Sequence, residues 1–405
     1  MTNKQFSFIV TSSLGGESLA RTGIIHTPHG DIKTPAFIVV GTKAAVKAMV
    51  PEQVKAVHAQ AVLANAYHLY LQPGHKLIEN AGGLAKFMNW NGPTFTDSGG
   101  FQVLSLGSGY KKVLDMNGVM NANDAIAPEK TRRAFVDNDG VNFKSHLDGS
   151  MHRFTPEHSM QVQYSIGADI IFAFDELTSL HDSYEYQKQS LNERTHPWAR
   201  RSLDEIKRLR KLDETKPYQA LFGVLQGANF QDLREYTAEF MSELPFDGYG
   251  IGGALEKSRL GEIIRWVNQI LPADKPKHLL GISEPDDIFV AIEQGIDTFD
   301  CVSPTRVARN GAAYTYNGRV NIKSAKYQQD FTPVVQSCEC YTCQNYTKAY
   351  IQHLLRAKES LAGTLLSIHN EHFIIKLVDD IRNSINDGSF YELKKAWLAR
   401  YYHRT

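Results

Sequence analysis

The chain is short of cysteine, of long apolar runs and of net charge, and each shortage excludes something. Four cysteines in 405 residues, three of them crowded together as Cys338, Cys340 and Cys343, make no sensible disulfide framework. No uninterrupted apolar run approaches the roughly 18 residues that a membrane helix needs. The opening MTNKQFSFIV has neither the basic nor the apolar region of a secretory leader, so a cytoplasmic chain is expected. The 44 basic residues balance the 44 acidic ones, and bulk charge gives no sign of a polyanionic partner. The charges are unevenly spread, however. From Cys301 onward 14 Lys and Arg stand against 8 Asp and Glu, a net of +6, which leaves −6 for residues 1–300. A basic C-terminal third suits a bound polyanion, although solvated helix faces give the same tilt. Internal repeats and low-complexity tracts are absent as well.

What is present is a regular alternation of short apolar runs with amphipathic, helix-like segments. The strand-like runs are PAFIVV from Pro35, AVLANAY from Ala61, TFTDSGG from Thr94, DIIFAFDE from Asp169, ALFGVLQG from Ala220, GYGIGGA from Gly248, KHLLGIS from Lys277 and DTFDCVS from Asp297. Between them lie PEQVKAVHAQ, PEHSMQVQYSIG, FQDLREYTAEFMSEL, SRLGEIIRWVNQIL and PDDIFVAIEQG, several with Pro at a first helical position and Asp or Glu close behind. Eight β-then-α units predict an α/β protein, a (β/α)8 TIM barrel. The barrel is expected over residues 1–320 and 370–405, with extra N-terminal strands and an insertion at about 107–153 whose Asp148-Gly149 suggests a hairpin. Residues 321–369 are expected to form an inserted zinc-binding subdomain.

In such a barrel, polar residues where the strands end carry functional weight. Asp97 and Ser98 end the third strand, Asp175 and Glu176 the fourth, Gln226 the fifth, Gly252 and Gly253 the sixth, and Asp300 the eighth. Taken singly, Asp97 suits an Asx turn before Gly99-Gly100 and Asp175 a helix cap; three aspartates at one barrel end suit a site. Two carboxylates flanking a sugar carbon are the equipment for breaking a glycosidic bond. A further carboxylate beside an amide and a backbone N–H suits a guanine edge: Asp accepts from N1–H and the exocyclic amine, while Gln226 or the Gly253 N–H donates to O6. Residues alone reach glycosyl transfer or hydrolysis on a purine-like ring.

CECYTC supplies thiols at 338, 340 and 343, and the following stretch to Asn370 reads as a helix that brings His369 back to them. Three Cys and one His complete the closed shell of a structural Zn2+. His372 and His353 are alternative fourth ligands, and Cys301 reads as a small buried residue.

The chain resembles the tRNA-guanine transglycosylase family, bacterial type, also described as queuine or 7-deazaguanine tRNA-ribosyltransferases. FTDSGGFQVLSL, FKSHLDGS, AFDE, FGVLQG, DGYGIGG, FDCVSPTR, ARNGAAYT and the CxCxxC with its later His follow in the family's order. The resemblance implies exchange of guanine at the wobble position of a tRNA with a G-U-N anticodon for a 7-deazaguanine, in queuosine formation. It implies Asp300 as nucleophile, forming a covalent glycosyl-enzyme, and Asp97 as general acid/base. It implies base contacts from Ser98, Asp175, Gln226, Gly252 and Gly253, a ring sandwich between Phe101 and Leu280, and RNA-backbone contacts from Arg306 and Arg309. It places His369 as the fourth ligand of one zinc, and implies a homodimer with Tyr346, Tyr350 and His353 near the contact. The chain departs from the common pattern at Ala254–Ser258, Leu177 and Glu284. The first two departures line the region that receives the 7-substituent, so 7-aminomethyl-7-deazaguanine and queuine both stand as incoming bases. The other readings are a non-catalytic tRNA-binding subunit of the same fold, which has little reason to keep Asp97 and Asp300, and a nucleoside hydrolase.

Overall fold

A computed structural model describes residues 6–101, 134–253 and 255–402. The N-terminal stretch forms a three-stranded sheet of β1 (Ser7–Ser13), β2 (Arg21–Thr27) and β3 (Gly30–Thr34). Next come β4 (Ala36–Val40), β5 (Val62–Ala64) and β6 (Thr94–Thr96), then an antiparallel sheet of β7 (Ala134–Asp137), β8 (Gly140–Lys144) and β9 (Met151–Phe154). β10 (Ile170–Phe172), β11 (Ala220–Leu225), β12 (Gly248–Ile251), β13 (Lys277–Leu279) and β14 (Thr298–Cys301) follow, and β15 (Ala312–Thr315) pairs with β16 (Gly318–Asn321). The sheet order β10-β11-β12-β13-β14-β4-β5-β6 closes on itself. These are the eight strands expected from the sequence, and the fold is an eight-stranded parallel (β/α) barrel.

Parallel barrel strands are covered on both faces, which is why their sequences run apolar without alternation. Each of β4, β5, β6, β10, β11, β12 and β13 is buried throughout. Size matching sets the spacing inside. A Cβ on Gly248 would lie 2.5 Å from the Phe222 ring, and one on Gly223 2.7 Å from Phe246, so the two glycines are where aromatic rings fill the barrel wall. β14 alone among the eight ends on partly exposed residues, Asp300 and Cys301.

Helix boundaries refine the sequence reading. Pro156–Ile166 starts as expected, with Thr155 Oγ1 accepting from His158 N at 3.2 Å, and stops at Gly167, whose φ of +74° suits an αL cap. Pro51–Ala56 is shorter than its ten-residue pattern, because His58 takes φ +65° and ends it. The supposed single helix before His369 is two, Lys348–Ala357 and Ser360–Asp387, broken where Lys358 adopts φ +60°. The Asp148-Gly149 hairpin is present, joining β8 and β9 in the register Lys144↔Met151 with Gly149 at φ +78°. The rest of that insertion, 107–133, lies outside the described residues, as does Ala254.

The described residues group into two compact units. One comprises residues 6–9, 25–31, 63–101, 134–253 and 255–280, the other residues 10–24, 32–62 and 281–402. No helix among the described residues is long and apolar enough to cross a membrane.

Candidate active site and metal centre

In the first unit Ser98 after β6, Asp175 after β10 and Gln226 after β11 are joined by hydrogen bonds, and Asp97 is held from the residues after β5. Asp97, directly after β6, is half-buried. Its Oδ1 accepts from Ala66 N at 2.9 Å and its Oδ2 from Asn65 Nδ2. Asn65 serves twice, since its Oδ1 also caps the helix Ala66–Leu71 by accepting from His68 N at 3.0 Å. An N-cap that holds Asp97 ties the carboxylate's position to the start of a helix.

Asp175 is buried three residues beyond β10. Its Oδ2 accepts from Gln226 Nε2 at 2.6 Å and its Oδ1 from Ser98 Oγ at 3.3 Å. Burial pushes its pKa up to about 6, against the lowering effect of those two bonds. Gln226 is buried directly after β11, and its Oε1 has no partner among the described residues. The backbone comes close here: a Cβ on Gly100 would sit 2.8 Å from the Asp175 carbonyl oxygen, which explains why Gly is needed after Asp97-Ser98-Gly99. Gly253 has φ +94°, and a Cβ there would fall 2.7 Å from Gln226 Oε1. Phe101 is 37% exposed and Leu280 half-buried. The first unit therefore unites Asp97, Ser98, Asp175, Gln226, Gly252 and Gly253 at successive strand ends. The neighbouring Glu176 belongs to a different network. It is buried against Arg194, Ser190 and Tyr186, with Arg194 carried on the π-turn Leu191–Thr195. That closed network satisfies the Glu176 carboxylate internally.

In the second unit Asp300 lies near the end of β14, half-buried, with Oδ1 accepting from Gly281 N at 3.4 Å. The helix Ser303–Arg309 begins three residues after Asp300 and carries Arg306 and Arg309, both exposed. Glu284, the departure at an expected phosphate contact, pairs with Arg319, whose guanidinium also stacks 5.0 Å from the Tyr314 ring centre. The carboxylate is thus partly neutralised within the chain.

The same unit holds a buried Cys3His group. The donor atoms of Cys338, Cys340, Cys343 and His369 lie within 4.8 Å of one another. His369 Nδ1 is 3.8, 3.6 and 3.3 Å from the three sulfurs. A tetrahedral ion with ordinary metal–sulfur and metal–nitrogen lengths holds such atoms about 3.5 Å apart, so the set fits a metal. The outer nitrogen of the ring, Nε2, is 2.8 Å from Tyr314 O. Donation to that carbonyl fixes the tautomer that leaves Nδ1 free to ligate. His353 is exposed and His372 is not part of the group. Cys340 also caps the short helix Tyr341–Asn345, taking Cys343 N at 3.4 Å.

Sequence reading missed Asn65 and Arg234. Asn65 had the same signal as the others, a polar residue closing a strand-like run. Arg234 lies inside a helical pattern and gives no such signal.

A closed parallel barrel with carboxylates and an amide at its strand ends, and a buried Cys3His group near its C-terminus, defines a barrel enzyme with a group positioned to bind a metal ion. The chain belongs to the queuine tRNA-ribosyltransferase family, whose sequence model matches residues 16–403. A queuine tRNA-ribosyltransferase of Caldanaerobacter subterraneus subsp. tengcongensis is 45% identical over 386 residues, covering 95% of this chain and 94% of that protein. Proteins of the same description from Thermoanaerobacter pseudethanolicus and Staphylococcus aureus are 44% identical, each covering 94% of the relative and 94% and 95% of this chain.

Proposed function

We propose that this chain is a tRNA-guanine transglycosylase that exchanges guanine at the wobble position of G-U-N anticodons for a 7-deazaguanine, in queuosine formation. Family membership along 16–403 carries this reading, and the carboxylates kept at the strand ends support it. Asp300 attacks C1′ of the target nucleotide as the bond from C1′ to the base breaks, forming a covalent glycosyl-enzyme. Asp97 delivers a proton to the departing guanine and later accepts one from the incoming base, which attacks C1′ and releases the Asp300 carboxylate. Two displacements at one carbon retain its configuration. Asp175 accepts from N1–H and the exocyclic amine of the base, the Gly253 N–H and Gln226 address O6, Ser98 and Gly252 support that edge, and Phe101 and Leu280 sandwich the ring. Unstacking the target is cheap in an anticodon loop. Arg306 and Arg309 hold the RNA backbone.

The metal is Zn2+, one per chain, held by Cys338, Cys340, Cys343 and His369. With four protein ligands it has no open position, so it organises the 321–369 subdomain and takes no part in exchange. A second copy of the chain is the partner in a cytoplasmic homodimer, with Tyr346, Tyr350 and His353 at the contact.

The test is incorporation of labelled guanine into unmodified tRNA bearing a G-U-N anticodon. The wild type is expected to incorporate label and Asp300→Asn to lose it. Equal incorporation by the variant removes Asp300 from the mechanism. Release of base without replacement makes the chain a hydrolase.

A further inference from the structure

Arg234, on the helix Gln231–Ser242, is wholly buried. Burial alone pushes its pKa down to about 9, and a buried guanidinium without a compensating carboxylate is costly. Its hydrogen bonds go to backbone carbonyls. Nε donates to Ala228 O at 2.8 Å, and Nη1 donates to Gly252 O at 2.9 Å and Leu225 O at 3.3 Å. Leu225 ends β11 and Gly252 follows β12, so one side chain clasps the two strand ends that carry Gln226 and Gly253.

The clasp sets a direction. The peptide between Gly252 and Gly253 is planar and trans, so its C=O and N–H point opposite ways. With the Gly252 carbonyl drawn to Arg234, the Gly253 N–H faces away from the guanidinium. Arg234 Nη2 and Gln226 Oε1 are both buried without a partner among the described residues. A Cβ on Gly253 would meet them at 2.9 and 2.7 Å. The cation, the amide and the glycine thus crowd one point.

We propose that Arg234 is a positioning residue for base recognition, holding the Gly252 carbonyl so that the Gly253 N–H is presented to O6 of the purine. This rests on the base-reading role assigned to Gly253 above. Arg234 touches no substrate and acts through a peptide plane. A lysine keeps the charge but lacks the planar fork that engages three carbonyls at once.

The experiment measures KM in the exchange assay for guanine, for 6-thioguanine, which replaces O6 by a poorer acceptor, and for hypoxanthine, which keeps O6 and lacks the amine. The wild type is expected to prefer guanine over 6-thioguanine about tenfold or more. Arg234→Lys brings that ratio toward one and leaves the guanine-to-hypoxanthine ratio, which reports Asp175, unchanged. Gly253→Ala is the second variant, and it loses the same ratio with the Arg234 guanidinium still present, because the added Cβ disturbs the Gly252–Gly253 peptide itself. A wild type that treats guanine and 6-thioguanine alike overturns the inference without any variant. A variant that still exchanges guanine with an intact guanine-to-6-thioguanine ratio overturns it too, as does collapse of both ratios together, the mark of a purely structural role. If the wild type exchanges no guanine at all, the proposed function falls and this inference with it.

Discussion

The first unit's Asp175 cluster and the second unit's Cys3His cluster both gather ionisable side chains in buried surroundings, yet they are satisfied in opposite ways. Asp175 has donors of its own chain, Gln226 at 2.6 Å and Ser98 at 3.3 Å, and it can be buried as it stands. The three thiols and His369 meet one another within 4.8 Å, and deprotonated thiols at that spacing repel unless a cation sits between them. A cluster that hydrogen-bonds itself is preformed for a ligand that comes and goes. A cluster that cannot do so needs a resident ion, and its folding depends on that ion.

The sharpest way to break this contrast is to remove a thiol. Apparent binding energies of structural zinc are about 10–16 kcal/mol, so Cys340→Ser, or chelation of the wild type, is expected to give the largest loss. Zinc content by elemental analysis should fall, the calorimetric unfolding transition should move down, and tRNA binding should weaken with it. Unchanged unfolding in a metal-free protein would show that the hydrophobic packing around Ile351, Leu365 and Leu366 holds this region without the ion.

On the other side of the comparison, Asp97→Asn keeps one acceptor for the Ala66 N–H, gives up the bond from Asn65 Nδ2 and removes the proton carrier. Exchange should slow about 10²- to 10⁴-fold, with guanine affinity little changed. A variant that loses affinity and rate together would make Asp97 a binding group. Next comes Gln226→Ala, which takes the 2.6 Å donor from a buried carboxylate. An unsatisfied buried acceptor costs enough to raise KM for guanine about 10- to 100-fold, while unfolding shifts far less than in the zinc variant.

The barrel was legible because its strands are continuous apolar runs closed by polar residues, and both clusters show in the sequence for related reasons. Asp97, Asp175, Gln226 and Asp300 break apolar runs at their ends, and Cys338, Cys340 and Cys343 are rare residues at a spacing that only a metal rationalises. The parts that escaped depend on three-dimensional closure. Lys358 looks like an ordinary helical residue, and its αL conformation is imposed by the turn into Ser360–Asp387. Arg234 sits at a position where a helix tolerates any long side chain; only burial against the carbonyls of Leu225, Ala228 and Gly252 reveals its role. Glu176 adjoins Asp175 in sequence, and its separation from the reading edge follows from Arg194 on a π-turn that no periodicity announces.

The smallest expected effect is a pH dependence, and it tests whether the self-satisfied cluster is satisfied for reading or for stability. With its pKa near 6 in the folded chain, Asp175 is ionised above that pH and protonated below it. Reading N1–H and the amine needs a carboxylate that only accepts, so KM for guanine should rise about tenfold as pH falls from 8 to 5, following the ionised fraction. Stability has the opposite sign. The folded carboxyl keeps its proton where the unfolded one, at its ordinary value of 3.8, has released it. The contribution to stability is therefore full below the unfolded value and is lost as pH rises through about 6. Asp175→Asn should flatten both profiles, with guanine binding uniformly weak because its amide presents a donor to N1–H. If KM for guanine in the wild type is flat between pH 8 and 5, the Asp175 carboxylate is not what the base meets.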